Sequence, residues 1–301
     1  MNSAMTSVHI SGKSSKLDDT VGMIVWSTCH YTIDREPQLR LELYGPSGLR
    51  NLVRTNLQIT QTLLKGKYAA HELLLDHDKA TTCEEHEMHQ NEIPGRDIRV
   101  NPDGRWNHFE DSQGVQVDAA PIVHRGELHN IIDGLKRNYA HWFLAPCLGY
   151  VFTEHPHFRL STEYFEKLNA IPASLLPRGM NDPRSLLSIL AHESQSKPVL
   201  LNDGTIVEPP PRDIPGRKLV ILGDTSDPSA IIPLAQDASL LVHEATNAWL
   251  PPALEKRVTL TTPAEVREKA ISRGHSTPDM AGEFANAIRA QRLLLNHFSV
   301  K

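Results

Sequence analysis

The sequence predicts an α/β layer protein, on three observations in its last third. Three short apolar runs, Lys218–Leu222, Ser239–Val242 and Arg292–Leu295, have the length and character of buried strands. Two segments of helix-forming composition, Pro263–Arg273 and Pro278–Arg289, lie between the second run and the third. Each opens on a threonine followed by proline, Thr262-Pro263 and Thr277-Pro278, which sets an N-cap before a first-turn proline. The order β, β, α, α, β follows, with helices laid on a sheet.

The elements before it can be taken in turn. Val21–Thr28 is apolar and β-branched, and Arg40-Leu-Glu-Leu-Tyr44 alternates as a half-buried strand does. Gly45-Pro-Ser-Gly48 then turns the chain. Leu49, Leu52, Val53 and Leu57 share one face of a helix, with Arg50 and Arg54 on another. Residues 76–113 are polar and aperiodic, which predicts a long surface loop or a pair of irregular hairpins, and His77, His86 and His89 within it read as solvated groups. From 158 to 215 prolines interrupt short helices around Thr162–Leu168 and Pro183–His192, as in an excursion from the main body. Asn202-Asp-Gly204 predicts a hairpin joining Val199–Leu201 to Thr205–Val207.

Composition narrows the function classes. With 301 residues, 40% hydrophobic and 22% charged, the chain can bury one large core or two modest ones, which excludes disorder throughout. Its 31 basic and 36 acidic residues give a formal charge of −5, so it carries no general coat of positive charge, although a local basic face could hold nucleic acid. Cys29, Cys83 and Cys147 are too scattered for a disulfide framework and fit an intracellular, reducing compartment, whether cytoplasm, nucleus or mitochondrion. No apolar run approaches the roughly 18–20 residues of a membrane span, and the first residues carry no signal-peptide stretch, so no membrane partner is expected.

Ionisable residues follow the apolar strands directly: Leu222-Gly-Asp224-Thr225, Val242-His243-Glu244-Ala-Thr246 and Leu295-Asn-His297-Phe-Ser299. In open α/β sheets such carboxyl ends converge on a ligand. One histidine or aspartate there is ordinarily structural, but three such ends in succession point to a shared site. Histidine and aspartate suit zinc or a similar divalent ion, and a carboxylate can bridge two. Gly274-His-Ser-Thr277, ahead of a helix, is placed either to meet a phosphate or only to cap that helix.

With Tyr44-Gly-Pro-Ser-Gly48, His71-Glu-Leu73, Ala120-Pro-Ile-Val-His124 and Gly149-Tyr-Val-Phe152, these elements occur in an order that resembles the short form of tRNase Z (ribonuclease Z) from about residue 18 onward. That family consists of metallo-β-lactamase-fold endonucleases that trim the 3′ trailer from precursor tRNA. The resemblance implies a four-layer αββα sandwich, a single domain over 1–301 with a tRNA-binding-arm-like excursion at about 158–213. It further implies precursor tRNA as substrate, a homodimer and a two-zinc site. His124 would hold one ion, Asp224 would bridge both and His297 would hold the other. Glu244 and His275 would be catalytic partners, His275 assisting the departing oxygen as a metal-activated hydroxide attacks phosphorus.

The family signature HxHxDH is absent. Aligning on Thr20-Val-Gly22 places Ser14, Lys16, Asp18 and Asp19 at its four positions, and Asp18 alone matches, as a catalytic residue. Lys16 puts a cation where a ligand belongs. The expectations are therefore a truncated sandwich, incomplete at its N-terminal sheet, with one tightly bound zinc or none and impaired catalysis. Gly126–Ala145 is an insertion relative to the family pattern. Two other classes compete: a catalytically inactive RNA-binding or dimerisation partner of an active homologue, and a small-ester hydrolase of the same fold. The combined HEAT, GHST and NHFS elements favour the RNA enzyme.

Overall fold

The structure, a computed structural model, describes residues 24–31, 37–112, 114–124, 147–192, 196–251 and 262–299. Asp18, its neighbours Ser14, Lys16 and Asp19, and the Gly126–Ala145 insertion lie outside them. The chain divides into two compact units. One comprises Met1–Phe109, Asp118–Val151 and Leu219–Lys301, the other Glu110–Val117 and Phe152–Lys218.

The first unit begins with β1 (Ile24–Tyr31), β2 (Pro37–Pro46), α1 (Leu49–Ile59), β3 (Lys67–Leu74), β4 (Glu92–Ile93) and β5 (Asp97–Arg99). β1 pairs antiparallel with β2, while β2, β3, β4 and β5 run parallel in the same five-stranded sheet. Gly48 makes the turn into α1 possible, because its φ of 90° is left-handed and open to glycine at little cost. Leu49, Val53 and Leu57 of α1 then pack on Leu41, Leu43, Tyr68 and Ala70 of the sheet.

Arg50 and Arg54, on the second face of α1, are buried rather than solvated. Arg54 forms a fork on Glu92, with Nε to Oε2 at 2.7 Å and Nη2 to Oε1 at 2.8 Å. Arg50 donates to the carbonyls of Ala70, Thr81 and Arg96. Its neighbour Glu72 is wholly buried and accepts the backbone N–H groups of Gly48, Arg50 and Thr81 at 2.8–3.1 Å. A side chain from β3 thus satisfies donors at the start of α1, where the chain itself offers no side-chain cap.

A six-stranded sheet follows, in the order β13-β12-β11-β8-β7-β6. Its members are β6 (Trp106–Ser112), β7 (Val115–Ile122), β8 (Cys147–Glu154), β11 (Lys218–Leu222), β12 (Leu240–Glu244) and β13 (Leu293–Asn296). β11, β12 and β13 are parallel, as the apolar runs predict. Helices α5 (Pro263–Ser272) and α6 (Pro278–Ala287) connect the last two strands. Thr262 forms a full capping box with Glu265, and Thr277 caps α6 through Met280. One sheet face packs Ala120, Ile122, Val151, Val220, Leu222 and Leu241 against Ile231, Ala235, Phe284 and Ile288. On the opposite face Tyr150 hydrogen-bonds the carbonyl of Tyr44, whose ring meets Phe109. The first unit is accordingly layered helix, sheet, sheet, helix.

Two expectations need correction. Residues 76–113 are neither one long loop nor a pair of hairpins: β4 and β5 pair in parallel with β3, and β6 joins the large sheet. His108 adopts φ 51° inside β6 and interrupts the alternation by which that strand could have been recognised. β13 is not buried: it forms the sheet's edge, and Leu294 is 53% exposed. Among the described residues no helix is long and apolar enough to cross a membrane.

The second unit has its own core of Leu168, Leu176, Leu186, Leu190, Val199 and Leu201. It contains α2 (Thr162–Asn169), a 3-10 turn at Pro183–Leu186 continuing into a short helix at Leu187–Leu190, and a hairpin pairing β9 (Val199–Leu200) with β10 (Ile206–Val207) through Gly204 at φ 88°. Hydrogen bonds from the Arg217 guanidinium hold the Glu154 carboxyl down at about 2, against a smaller opposing effect of burial. A carboxyl depressed in the fold contributes stability above its unfolded pKa of about 4.3, and that contribution is lost as pH falls through the folded value. Glu154→Gln should therefore lower the melting temperature by about 1–2 °C near neutrality, where screening keeps such exposed pairs weak. The difference from wild type should vanish as thermal melts are taken toward pH 2.

Candidate metal centre

Each candidate side chain in the described residues sits just beyond or at the end of a strand, or ahead of a helix. His124 follows β7, Asp224 follows β11, Glu244 is the last residue of β12, His297 follows β13, and His275 lies between α5 and α6. Donor atoms of His124, Asp224 and His275 all lie within 4.8 Å of one another. His297 Nε2 is 3.4 Å from Asp224 Oδ2, and its ring centroid is 5.3 Å from that of His275. It leaves β13 with φ 54°, a left-handed conformation uncommon outside glycine.

Hydrogen bonds fix how these rings present themselves. His124 Nδ1 lies 2.8 Å from the carbonyl oxygen of Gly274, which can only accept, so Nδ1 carries the hydrogen. His124 is 8% exposed, and its Nε2 is buried with no hydrogen-bond partner. A buried, lone-pair-bearing nitrogen of this kind is costly without a partner and suits a cation. His275 Nδ1 donates to the Glu244 carboxylate at 3.1 Å and 3.2 Å, which puts the lone pair of the neutral ring on Nε2. Ligating histidines are ordinarily oriented in these two ways, one N–H on a backbone carbonyl or a carboxylate. The donor set, two imidazoles and a carboxylate, fits zinc.

Glu244 is itself anchored. Its Oε1 accepts the N–H of Thr225 at 2.6 Å, and Thr246 donates its hydroxyl to Oε2. Burial would raise its pKa, but the bonds from His275 and Thr246, with the His275 charge, outweigh it and hold the carboxyl below the usual range. Asp224 goes the other way: burial raises it most, the Glu244 charge adds to that, and His297, His275 and His124 oppose without cancelling. Two carboxyls a strand apart are thus driven in opposite directions by what surrounds them.

Several contributors were not singled out by sequence. The Gly274 carbonyl orients His124, Thr225 gives its N–H to Glu244 and its hydroxyl to Val123 O, and Ser276 bonds Thr225 O at 2.6 Å. The available signal was a small hydroxylic residue one or two positions after the candidate in each of GDT, HEAT and GHST. His243 is buried and donates from Nδ1 to Glu244 O, and its ring forms an edge-to-face pair with Phe284.

No family model matches the chain. It is 28% identical over 274 residues to zinc phosphodiesterase ELAC protein 1 of Homo sapiens, covering 86% of this chain and 62% of that protein. To ribonuclease BN of Cronobacter sakazakii it is 28% identical over 264 residues, covering 86% and 60%. Over most of its length the chain is thus similar to proteins named zinc phosphodiesterase and ribonuclease. The crystal structure of human tRNase Z, short form, aligns with a TM-score of 0.44 at 24% identity, over 86% of this chain and 61% of that one. The chain spans about three fifths of the length of the curated proteins it matches.

Proposed function

We propose that the chain is a zinc-dependent phosphodiesterase that removes the 3′ trailer from precursor tRNA, acting slowly because it contains no HxHxDH segment. The observation that carries this reading is the convergence of His124, Asp224 and His275 from distant parts of the chain, with His275 held by Glu244. Names of the relatives, zinc phosphodiesterase and ribonuclease, agree with that chemistry.

His124 and Asp224 would hold zinc, with His297 against the Asp224 carboxylate as the resemblance suggests. Zinc, when bound, supplies Lewis-acid stabilisation of charge developing on the phosphodiester. Glu244 keeps the Nδ1 hydrogen of His275 in place, so that Nε2 is the atom at which His275 gives up or takes a proton beside the departing oxygen. The Thr225 N–H and Thr246 hydroxyl hold Glu244 in turn and keep the pair in register. The excursion at about 158–213 would carry the tRNA body, with Arg178, Arg184 and Lys197 available to phosphates.

The test is a single-turnover assay with zinc-loaded protein in excess over a precursor tRNA bearing a 3′ trailer. Slow endonucleolytic release of the trailer is expected, abolished by a chelator and by His275→Ala. Zinc-loaded protein that releases no trailer, or cleavage indifferent to His275→Ala, overturns the reading.

A further inference from the structure

The buried cluster around His71, in the five-stranded sheet, takes no part in the chemistry proposed above. His71, on β3, is 4% exposed, and its ring stacks on Tyr44 of β2 with centroids 4.5 Å apart and planes inclined by 15°. Its Nδ1 accepts the backbone N–H of Arg96 at 2.9 Å, so that nitrogen carries the lone pair. Nε2 therefore carries the hydrogen and donates it to Glu42 Oε2 at 2.7 Å. Both ring nitrogens are committed, one as acceptor and one as donor, and only the neutral ring can fill both roles. We propose that His71 is an acid-sensitive latch on the link between β4 and β5: a proton taken up at Nδ1 expels the Arg96 peptide and frees that link from β3.

The link is fastened at this peptide. His71 holds the Arg96 N–H, while the Arg96 carbonyl accepts the N–H of Glu72 at 3.0 Å and Arg50 Nη2 at 2.9 Å. Gly95, just before it, passes so close to β3 that a Cβ there would lie 1.8 Å from the carbonyl oxygen of Ala70. β4 and β5 have only two and three residues, so their own ladders with β3 are short. From β5 the chain continues through residues 100–105 into β6 of the large sheet, and Trp106 Nε1 donates to Ile98 O at 3.1 Å. Loosening at Arg96 thus acts on the passage from one sheet to the other.

The surroundings decide what a proton does there. Among the described residues β2 contributes Glu42 and the phenol of Tyr44. The link contributes Arg96, whose Nε is 3.4 Å from His71 Nδ1 and whose Nη2 donates to the Tyr44 hydroxyl at 3.0 Å. Phe109 of β6 meets the Tyr44 ring, and the Tyr150 hydroxyl of β8 donates to the Tyr44 carbonyl, so those two contacts bring no charge to the imidazole. A second ring hydrogen would face an N–H donor at 2.9 Å and a guanidinium nitrogen at 3.4 Å, and both contacts repel. Glu42 attracts the imidazolium through Nε2. The ring stays with Glu42, and the Arg96 side gives way. Imidazole is the side chain whose charge ordinarily changes between about pH 5 and 8.

The test is amide hydrogen exchange of the whole chain as purified, read by mass spectrometry at about pH 8 and about pH 5 and corrected for intrinsic rates. Residues 95–98 are expected to lose protection at least about tenfold at the lower pH, while the central strands of the large sheet keep theirs. Glu42→Gln should retain this pH dependence, since an amide oxygen still accepts from Nε2, and His71→Gln should abolish it. Equal protection of wild type at the two values overturns the proposal. So does loss of the dependence in Glu42→Gln or its persistence in His71→Gln. Because His71→Gln could fail to fold, nitrogen-15 histidine spectra of wild type supply a second measurement. A bare Nδ1 on His71 at about pH 8, gaining its hydrogen as protection falls, supports the latch, and a hydrogen already on Nδ1 at about pH 8 overturns it. Neither measurement involves RNA, so failure here and failure of the cleavage assay are distinguishable.

Discussion

Asp224→Asn is expected to reduce zinc affinity at least about 100-fold and trailer removal at least about 1,000-fold, with the far-ultraviolet circular dichroism unchanged. Asparagine keeps the volume and one carbonyl oxygen but removes the charge on which three histidines converge. Asp224 has His297 Nε2 at 3.4 Å and shares the three-donor group with His124 and His275. Among the described residues Glu244, the neighbouring carboxyl, is not free to take over, being engaged by Thr225, Thr246 and His275. Equilibrium dialysis against zinc and the single-turnover assay give the two readouts. Wild-type affinity in the folded variant would remove Asp224 from the metal centre.

Glu72→Ala is expected to destabilise the chain by about 3–5 kcal/mol, as loss of one partner from a buried charge network does. The substitution leaves the N–H groups of Gly48, Arg50 and Thr81 without their acceptor and the Arg50 guanidinium, 3.7 Å from Glu72, buried against one carboxyl fewer. Denaturant unfolding followed by circular dichroism measures the change. Glu72→Gln should recover part of the loss, because an amide oxygen can still accept, although its NH2 group faces donors. A change within about 1 kcal/mol for Glu72→Ala would mean that water reaches these groups.

What could be read from sequence, and what could not, follows from where each residue gets its information. β11, β12 and β13 are parallel strands whose apolar runs need no partner to be recognised, and the Thr-Pro starts of α5 and α6 are local signals. Asp224, Glu244 and His297 could be placed at strand ends for the same reason. Arg50 and Glu72 could not be read in this way. An arginine on a helix looks solvated until a carboxylate from another element and three carbonyls are known to meet it. β6 was hidden around the left-handed His108, where the buried residues Trp106 and Phe109 fall three positions apart and not two. The nearness of His275 to His124 depends on the path of two loops, and no spacing rule encodes that.

The bond from His124 Nδ1 to Gly274 O spans 150 positions and has a consequence for biosynthesis. A nascent chain whose residue 275 is still within the ribosome has neither the carbonyl that orients the first imidazole nor the second imidazole itself. On the proposed metal reading the centre is completed only once that peptide has been synthesised, and a product terminated upstream of it lacks both groups.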